Sequence, residues 1–391
     1  MRFTIIDLVI LIAVVFAVSS GYRRGFWLSL AQYAGLVLGV VIGAALAPVL
    51  MDALHLSATV RSLGAVMVLI VMGAIGSSVG YWVGEPIGLR LLARPQSGRL
   101  DSLAGAIFSA LAVLSVSWFL GLSLARVPSP QLSTAIQRSV VLRSLDAIAP
   151  RPPAFLSRVE NIIAGVNFAP AFSGLEPLGP SAQPLPGSVD TPGVRMAEAE
   201  TLKIQGYGCG GIVFGSGFPV GPGMVLTNAH VVAGTQGTTV LNPSGRGLSA
   251  RIVLFDPERD VAILYVPRLA LAPLNEAAAG AGTQGATIGY PGGDGEQVSA
   301  AAVNGEVNAE GRDIYGQQLV VRSIWIVQAD VKPGNSGGPL VDLNGRVIGV
   351  IFAASTSQSG QAYALTDAEV QPDIDQAQGR TASVVVGACA M

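Results

Sequence analysis

Along the first third of the chain apolar positions run together instead of alternating with polar ones. Four runs, Phe3 to Ser20, Phe26 to Leu50, Leu63 to Val83 and Leu103 to Leu124, each come close to the ~20 residues that a helix needs to cross a bilayer. They predict a four-helix transmembrane domain over residues 1–126. The first run is not read as a cleaved leader, because Arg23 and Arg24 follow it without a small-residue cleavage site and three further spans come after. Arg23 and Arg24 lie between runs one and two; Arg90, Arg94 and Arg99 lie between runs three and four. Basic loops stay on the cytoplasmic side, so everything after Arg126 is expected outside.

Beyond Arg126 the pattern breaks up. Prolines are frequent over residues 127–194, which read as a Pro-rich stalk. Within it, Leu132 to Ile148 and Phe155 to Val166 keep apolar residues at helical spacing and predict short amphipathic helices. Residues 169–192 show no periodicity and read as a flexible, protease-sensitive tether. From residue 195 onward, short β-branched runs are broken by Gly, Pro, Asn or Asp at intervals of about eight to twelve residues. Examples are Gly211 to Phe214, Met224 to Thr227, Ala250 to Phe255, Val261 to Val266, Leu319 to Val327 and Arg346 to Ala353. That cadence predicts an all-β sandwich or a pair of barrels over residues 195–391.

Composition agrees. Only 12% of residues are charged and 50% are hydrophobic, with a mean hydropathy of +0.54, which places part of the chain in lipid. Residues 1–126 carry eight Arg and four acids; neither they nor the rest contain a Lys/Arg-rich run, which excludes a nucleic-acid footprint. Gly35, Gly39 and Gly43, and likewise Gly76, Gly80 and Gly84, recur at four-residue spacing, which lets helices approach closely in lipid. These faces could serve a tight bundle or self-association. Asp7, near a span end, reads as an interfacial cap. Cys209 and Cys389 could be free core thiols, but their places near the start and end of one domain suit a disulfide staple, which requires an oxidising compartment.

The chemistry centres on Lys332-Pro333-Gly334-Asn335-Ser336-Gly337-Gly338-Pro339-Leu340. Glycines on both sides of Ser336 allow a tight turn that exposes a hydroxyl and lines up backbone N–H groups beside it. Acyl transfer needs both a nucleophile and donors for the oxyanion; the plainer alternative is a loop between strands. The chain has two histidines, His55 in an outer loop and His230 in Leu226-Thr227-Asn228-Ala229-His230-Val231-Val232, so His230 is the base available to the β domain. Asp260, at the mouth of the apolar run Val261-Ala262-Ile263-Leu264, is the acid that could face it, with Asp256 its rival.

TNAHVV, RDVAIL and PGNSGGPL, in this order, resemble the chymotrypsin-like serine proteases of the trypsin and HtrA type over about the last 195 residues. Asp7 with Gly21-Tyr22-Arg23-Arg24-Gly25-Phe26 resembles the start of the CvpA (colicin V production) membrane family. Together with the cysteine pair, the chain resembles actinobacterial membrane-anchored periplasmic proteases of acid resistance. The resemblance implies a four-transmembrane-helix bundle followed by an all-β chymotrypsin-like double β-barrel protease domain. It makes His230 the general base, Asp260 its orienting acid and Ser336 the nucleophile, with the N–H groups of Gly334 and Ser336 as oxyanion hole. No metal or cofactor is called for. It further implies a multi-pass membrane location with the protease domain periplasmic, protein or peptide substrates such as cell-wall hydrolases, and a role in surviving acid and oxidative stress.

Residue 335 is Asn where zymogen-type proteases carry an Asp, so a directly folded site is expected in place of activation by N-terminal insertion. No room is left after Cys389 for a PDZ domain, so substrate capture is expected to use another surface. Asp330 falls where trypsin-like enzymes keep the acid at the base of the S1 pocket, and Tyr363, in Gly360-Gln361-Ala362-Tyr363-Ala364-Leu365, falls on the strand behind it. Either this pocket prefers Arg or Lys, or Asp330 is a solvated turn acid neutralised by Lys332. Thr366 with Glu369 reads as a capping box opening a C-terminal helix. The competing functional reading is a membrane scaffold or channel-like protein whose protease-fold domain is silent and only binds.

Overall fold

The computed structural model describes residues 3–53, 58–91, 98–125, 130–148, 172, 174–177, 179–242 and 244–390, which fall into two compact units, 1–167 and 168–391. The first holds α1 (Ile5–Arg24), α2 (Phe26–Ala53), α3 (Ala58–Leu91), α4 (Gly98–Leu124), α5 (Pro130–Gln137) and α6 (Val140–Ile148). Stretches of α1 to α4, Ile5–Arg24, Phe26–Ala47, Met67–Pro86 and Arg99–Leu122, are long and apolar enough to cross a membrane. Large apolar side chains such as Phe16 and Trp82 stand exposed on them, as a lipid-facing surface requires.

Asp7 caps α1: its carboxylate accepts from Thr4 N at 2.7 Å, and Thr4 Oγ1 accepts from Asp7 N. The same carboxylate accepts from Ser139 Oγ at 2.6 Å and Val141 N at 2.9 Å, so it also starts α6. The span predicted over 132–148 therefore divides at Arg138 and Ser139 into two helices. Ser133 Oγ donates to Ala125 O at 2.6 Å, tying α5 to the segment after α4. Residues 130–148 thus belong to the membrane unit and not to a stalk. The glycine faces meet each other: a Cβ on Gly35 would strike the carbonyl of Gly76, and one on Gly80 that of Ala31. Both stripes pack against each other between α2 and α3 within one chain. The helix expected over 155–166, and His55, lie outside the described residues.

In the second unit, α7 (Pro192–Glu200), N-capped by Thr191, leads into two sheets. The first contains β1 (Leu202–Gly208), β2 (Gly211–Gly221), β3 (Met224–Thr227), β4 (Thr235–Leu241), β5 (Gly247–Ser249), β6 (Arg251–Asp256) and β7 (Val261–Tyr265), in the order β5-β4-β1-β2-β3-β7-β6. Its two edge strands follow one another in the chain, turning through Ala250. The second is a closed barrel, β10-β13-β12-β11-β8-β9, of β8 (Gln284–Gly289), β9 (Gln297–Arg312), β10 (Leu319–Ala329), β11 (Pro339–Asp342), β12 (Val347–Ala354) and β13 (Gln361–Leu365). β7 explains why its sequence is apolar without alternation: Ala262 and Leu264 pack with Leu202, Ile204 and Val240, while Val261 and Ile263 pack with Ile324 and Ile326. Both of its faces are buried.

Helix α9 (Asp367–Ala377) closes the fold. Thr366 caps it, accepting from Glu369 N, but the Glu369 carboxylate turns to Ser323 N at 2.8 Å, so the capping box is half formed. The tail then returns along β6, with Val384 N donating to Ile252 O at 2.8 Å, and Cys389 is disulfide-bonded to Cys209 across 180 residues. The described part of the expected free tether is instead held on the closed barrel. Gln183 N donates to Asn304 Oδ1 at 2.9 Å, Gln284 Nε2 to Pro184 O at 2.9 Å and Thr191 Oγ1 to Leu343 O at 2.6 Å.

Candidate active site

Strands β3 and β7 pair antiparallel with Thr227 opposite Ala262, which brings the residues just after β3 beside those just before β7. His230 sits on α8 (Ala229–Val232), a single turn following β3. Asp260 directly precedes β7. His230 Nδ1 lies 2.7 Å from Asp260 Oδ2, and His230 N donates to Asp260 Oδ1 at 2.9 Å. The carboxylate therefore grips both backbone and ring, which fixes the imidazole's orientation and leaves Nε2 as the ring nitrogen away from Asp260. Asp260 adopts a φ of 63°, and Asn228 Nδ2 holds its carbonyl at 2.8 Å. Such a left-handed residue costs about 1 kcal/mol and needs support of this kind.

The rival acid is occupied elsewhere. Asp256 accepts from Glu258 N and Arg259 N and pairs with the Arg259 guanidinium at 3.0 Å. It is the turn residue. Arg322 lies buried near Asp260, donating to Glu258 O at 2.7 Å and Arg312 O at 2.9 Å. Burial pulls its pKa down, against the opposing pull of the surrounding carboxylates, Asp260 first among them.

The Ser336 turn is clasped by Ser216, which Thr227 holds in its turn. Ser216 N donates to Ser336 O at 2.8 Å, Ser216 Oγ donates to Gly334 O at 2.7 Å, and Thr227 Oγ1 donates to Ser216 O at 2.7 Å. Gly337, at a φ of 82°, fits so closely that a Cβ would collide with Ser216 O and Thr227 Oγ1. The serine turn thus rests on the residues that lead into the histidine helix. Peptide planarity then aims its donors. Pro333 O accepts from Gly292 N at 2.7 Å and Asn335 O from Gly338 N at 3.0 Å, so the N–H groups of Gly334 and Ser336 point the opposite way. Those of Asn335, Gly337 and Gly338 are bonded to Lys332 O, Ile351 O and Asn335 O, whereas those of Gly334 and Ser336 have no backbone acceptor among the described residues. Gly334 reaches this arrangement with a φ of 102°. Two amides without a backbone acceptor beside a serine are the kind of donors that an oxyanion requires.

The S1 expectation needs correction. Asp330 has a side chain 68% exposed and sits 3.6 Å from Lys332 Nζ. It is a solvated, paired turn acid, because β10 ends at Ala329 and releases it to the surface. Tyr363 is fully buried and presents nothing to a substrate; its hydroxyl donates to Glu176 at 3.2 Å.

Sequence reasoning missed Ser216, Asn228, Arg322 and Glu176. Ser216, a lone hydroxyl between Gly215 and Gly217 in an apolar strand, carried a signal; Glu176, in a stretch without periodicity, carried none.

The chain matches the family model described as trypsin-like peptidase domain over residues 215–350, and that described as colicin V production protein over residues 6–150. It is 33% identical to the serine protease Rv3671c of Mycobacterium tuberculosis over 98% of both chains. It is also 36% identical to a probable periplasmic DegP-like serine endoprotease of Halomonas elongata, over 39% of this chain and 32% of that protein. The crystal structure of the active form of the Rv3671c protease superposes with a TM-score of 0.53 at 38% identity, covering 55% of this chain and 96% of that one.

Proposed function

Because the chain belongs to the Rv3671c family of serine proteases, a trypsin-like peptidase following a colicin V production-type membrane domain, we propose that Ser336, His230 and Asp260 form its catalytic triad. The Ser336 hydroxyl attacks the scissile carbonyl while His230 Nε2 takes its proton. Asp260, on Nδ1, holds the tautomer and stabilises the imidazolium. The N–H groups of Gly334 and Ser336 bind the oxyanion, a term worth about 10²- to 10³-fold per donor. His230 then returns the proton to the leaving amine, and water clears the acyl-enzyme by the same steps reversed.

The observation that carries this reading is the clasp through Ser216 and Thr227, which couples the serine turn to the histidine helix. In the full-length protein, Ser336→Ala is expected to abolish turnover of a casein substrate. Equal turnover by mutant and parent overturns the assignment.

We further propose that the peptidase unit works on the periplasmic side and processes cell-envelope proteins under acid or oxidative stress. The Arg23/Arg24 loop and the Cys209–Cys389 disulfide support that side of the membrane. Substrates trapped in intact cells by the Ser336→Ala chain are expected to be envelope proteins; an exclusively cytosolic set overturns the placement.

A further inference from the structure

Glu176 lies 160 residues before Ser336 in the stretch that reads as a tether, yet its side chain is buried on the catalytic unit. Five donors converge on its carboxylate. Ser355 Oγ and Ser357 Oγ each donate to Oε2 at 2.6 Å, and Tyr363 OH does so at 3.2 Å. Thr356 N and Thr356 Oγ1 each donate to Oε1 at 2.7 Å. Among the described residues no Lys or Arg pairs with it, so it is not one half of a salt bridge. The chain is pinned on the amino-terminal side of Glu176 by Phe172, whose ring meets that of Tyr363 edge-on at 4.7 Å. It is pinned on the other side by Gly179, seated against Ile326.

The three loop residues among its partners, Ser355, Thr356 and Ser357, are not remote from the chemistry. Ile351 of β12 exchanges hydrogen bonds with the serine turn, Gly337 N donating to Ile351 O at 2.8 Å and Ile351 N to Gly338 O at 3.0 Å. Beyond Ile351, β12 remains paired to β13, with Ala353 opposite Tyr363 and Ala354 opposite Ala362. On the side facing the serine turn, residues 352–354 have no partner strand among the described residues. An open strand edge level with a nucleophile is where an extended peptide can add as a further strand. That edge runs directly into Ser355-Thr356-Ser357-Gln358-Ser359-Gly360, small polar residues with little apolar surface of their own to bury. Left to themselves they would retain much of their conformational freedom. The Glu176 carboxylate is the group that gathers them.

Resting on the protease reading above, we propose that Glu176 is a positioning residue for substrate: it fixes residues 355–357 and thereby sets the open 352–354 edge beside Ser336. The stretch 172–191 is then part of the catalytic unit and not a dispensable tether.

The test uses the full-length protein in nanodiscs with two probes. Diisopropyl fluorophosphate needs only the serine, its base and the oxyanion donors; fluorescein-labelled casein needs the strand edge as well. In a folded Glu176→Ala protein, KM for casein is expected to rise about tenfold or more, while kcat and the fluorophosphate rate stay within about twofold. Glu176→Gln, which keeps an acceptor for Thr356 N, is expected to restore most of the loss. An unchanged KM overturns the proposal, as does an equal fall in kcat and in the fluorophosphate rate, which would mean that Glu176 acts through the triad's own fold. If Glu176→Ala does not fold, Ser355→Ala carries the same comparison, since Ser355 Oγ also accepts from Ser357 N and Gln358 N. Failure of the parent protein to react with the fluorophosphate sinks the protease reading itself, a separate result.

Discussion

Ser216→Ala tests whether the serine turn depends on one buried hydroxyl from the first sheet. Ser216 Oγ donates to Gly334 O at 2.7 Å and accepts from Tyr290 N at 2.9 Å, and the side chain is fully buried. Removing it leaves a buried carbonyl and a buried amide unpaired, each costing about 1–3 kcal/mol, so a loss of about 2–6 kcal/mol in stability is expected. The backbone bond from Ser216 N to Ser336 O survives, so the serine stays in place. What is released is the Gly334 carbonyl, and with it the backbone rotation that aims the Gly334 amide. With the Gly334 amide in the oxyanion role proposed above, its partial misalignment is expected to cost about 2 kcal/mol of transition-state stabilisation, or about 30-fold in kcat, with KM nearly unchanged. Thermal unfolding and steady-state kinetics on one preparation read both effects. A protein destabilised as expected but with parental kcat refutes the coupling of Ser216 to the oxyanion site.

Replacing Cys209 and Cys389 together by Ser opens a loop of 180 residues, for which the chain-entropy model sets a ceiling of about 5 kcal/mol; an unfolding midpoint unchanged from the parent shows the staple to be idle. Gly76→Leu drives a side chain into the Gly35 carbonyl and is expected to destabilise the membrane unit by about 1–3 kcal/mol or more; unaltered unfolding in detergent refutes the α2–α3 contact. Burial first, then Glu198 for Glu296 and Glu276 for Asp367, raises those two carboxyls to about 7, and burial with Asp256 raises Asp373 to about 6. The folded state therefore binds protons that the unfolded chain releases, so these groups stabilise the fold as pH falls from about 7 towards 4, and a Ser336→Ala protein melting lower at pH 5 than at pH 7.5 contradicts them.

Elements whose pattern is dictated by a single environment were legible from the chain. The four spans read directly because lipid demands an unbroken apolar run, and β3 and β7 because both of their faces are buried. β9 (Gln297–Arg312) escaped notice, since Ala, Asn, Gly and Glu recur through it and its partners β8 and β10 supply the order that its own propensities do not. Residues 172–191 were misread for a related reason. Proline-rich chain without periodicity is ordinarily a tether, but here its order comes from bonds to Asn304, Leu343 and the 355–357 loop, none of which leaves a mark on the local sequence.

The site divides along the same line. Gly334, Ser336 and Gly337 are readable because each requirement falls within a few residues: a positive φ, a hydroxyl framed by glycines, a close approach without Cβ; the burial of Ser336 is not written there. The sequence favours Asp260 over Asp256 through the resemblance carried by RDVAIL, whereas the physical reason, the Thr227–Ala262 register and the direction of Arg259, is not written in the local sequence. Glu176 and Ser216 go further, since each is a polar side chain inserted from a distant segment, Ser216 against the serine turn and Glu176 against the 355–357 loop. A buried polar group costs stability unless its partners are all in place, so it acts as a check on the tertiary arrangement that apolar packing alone does not supply. The residues hardest to find from sequence are on this argument the ones that hold the Ser336 turn and the 352–354 edge in place. Mutations at them are expected to alter turnover more than their distance in sequence from Ser336 would suggest.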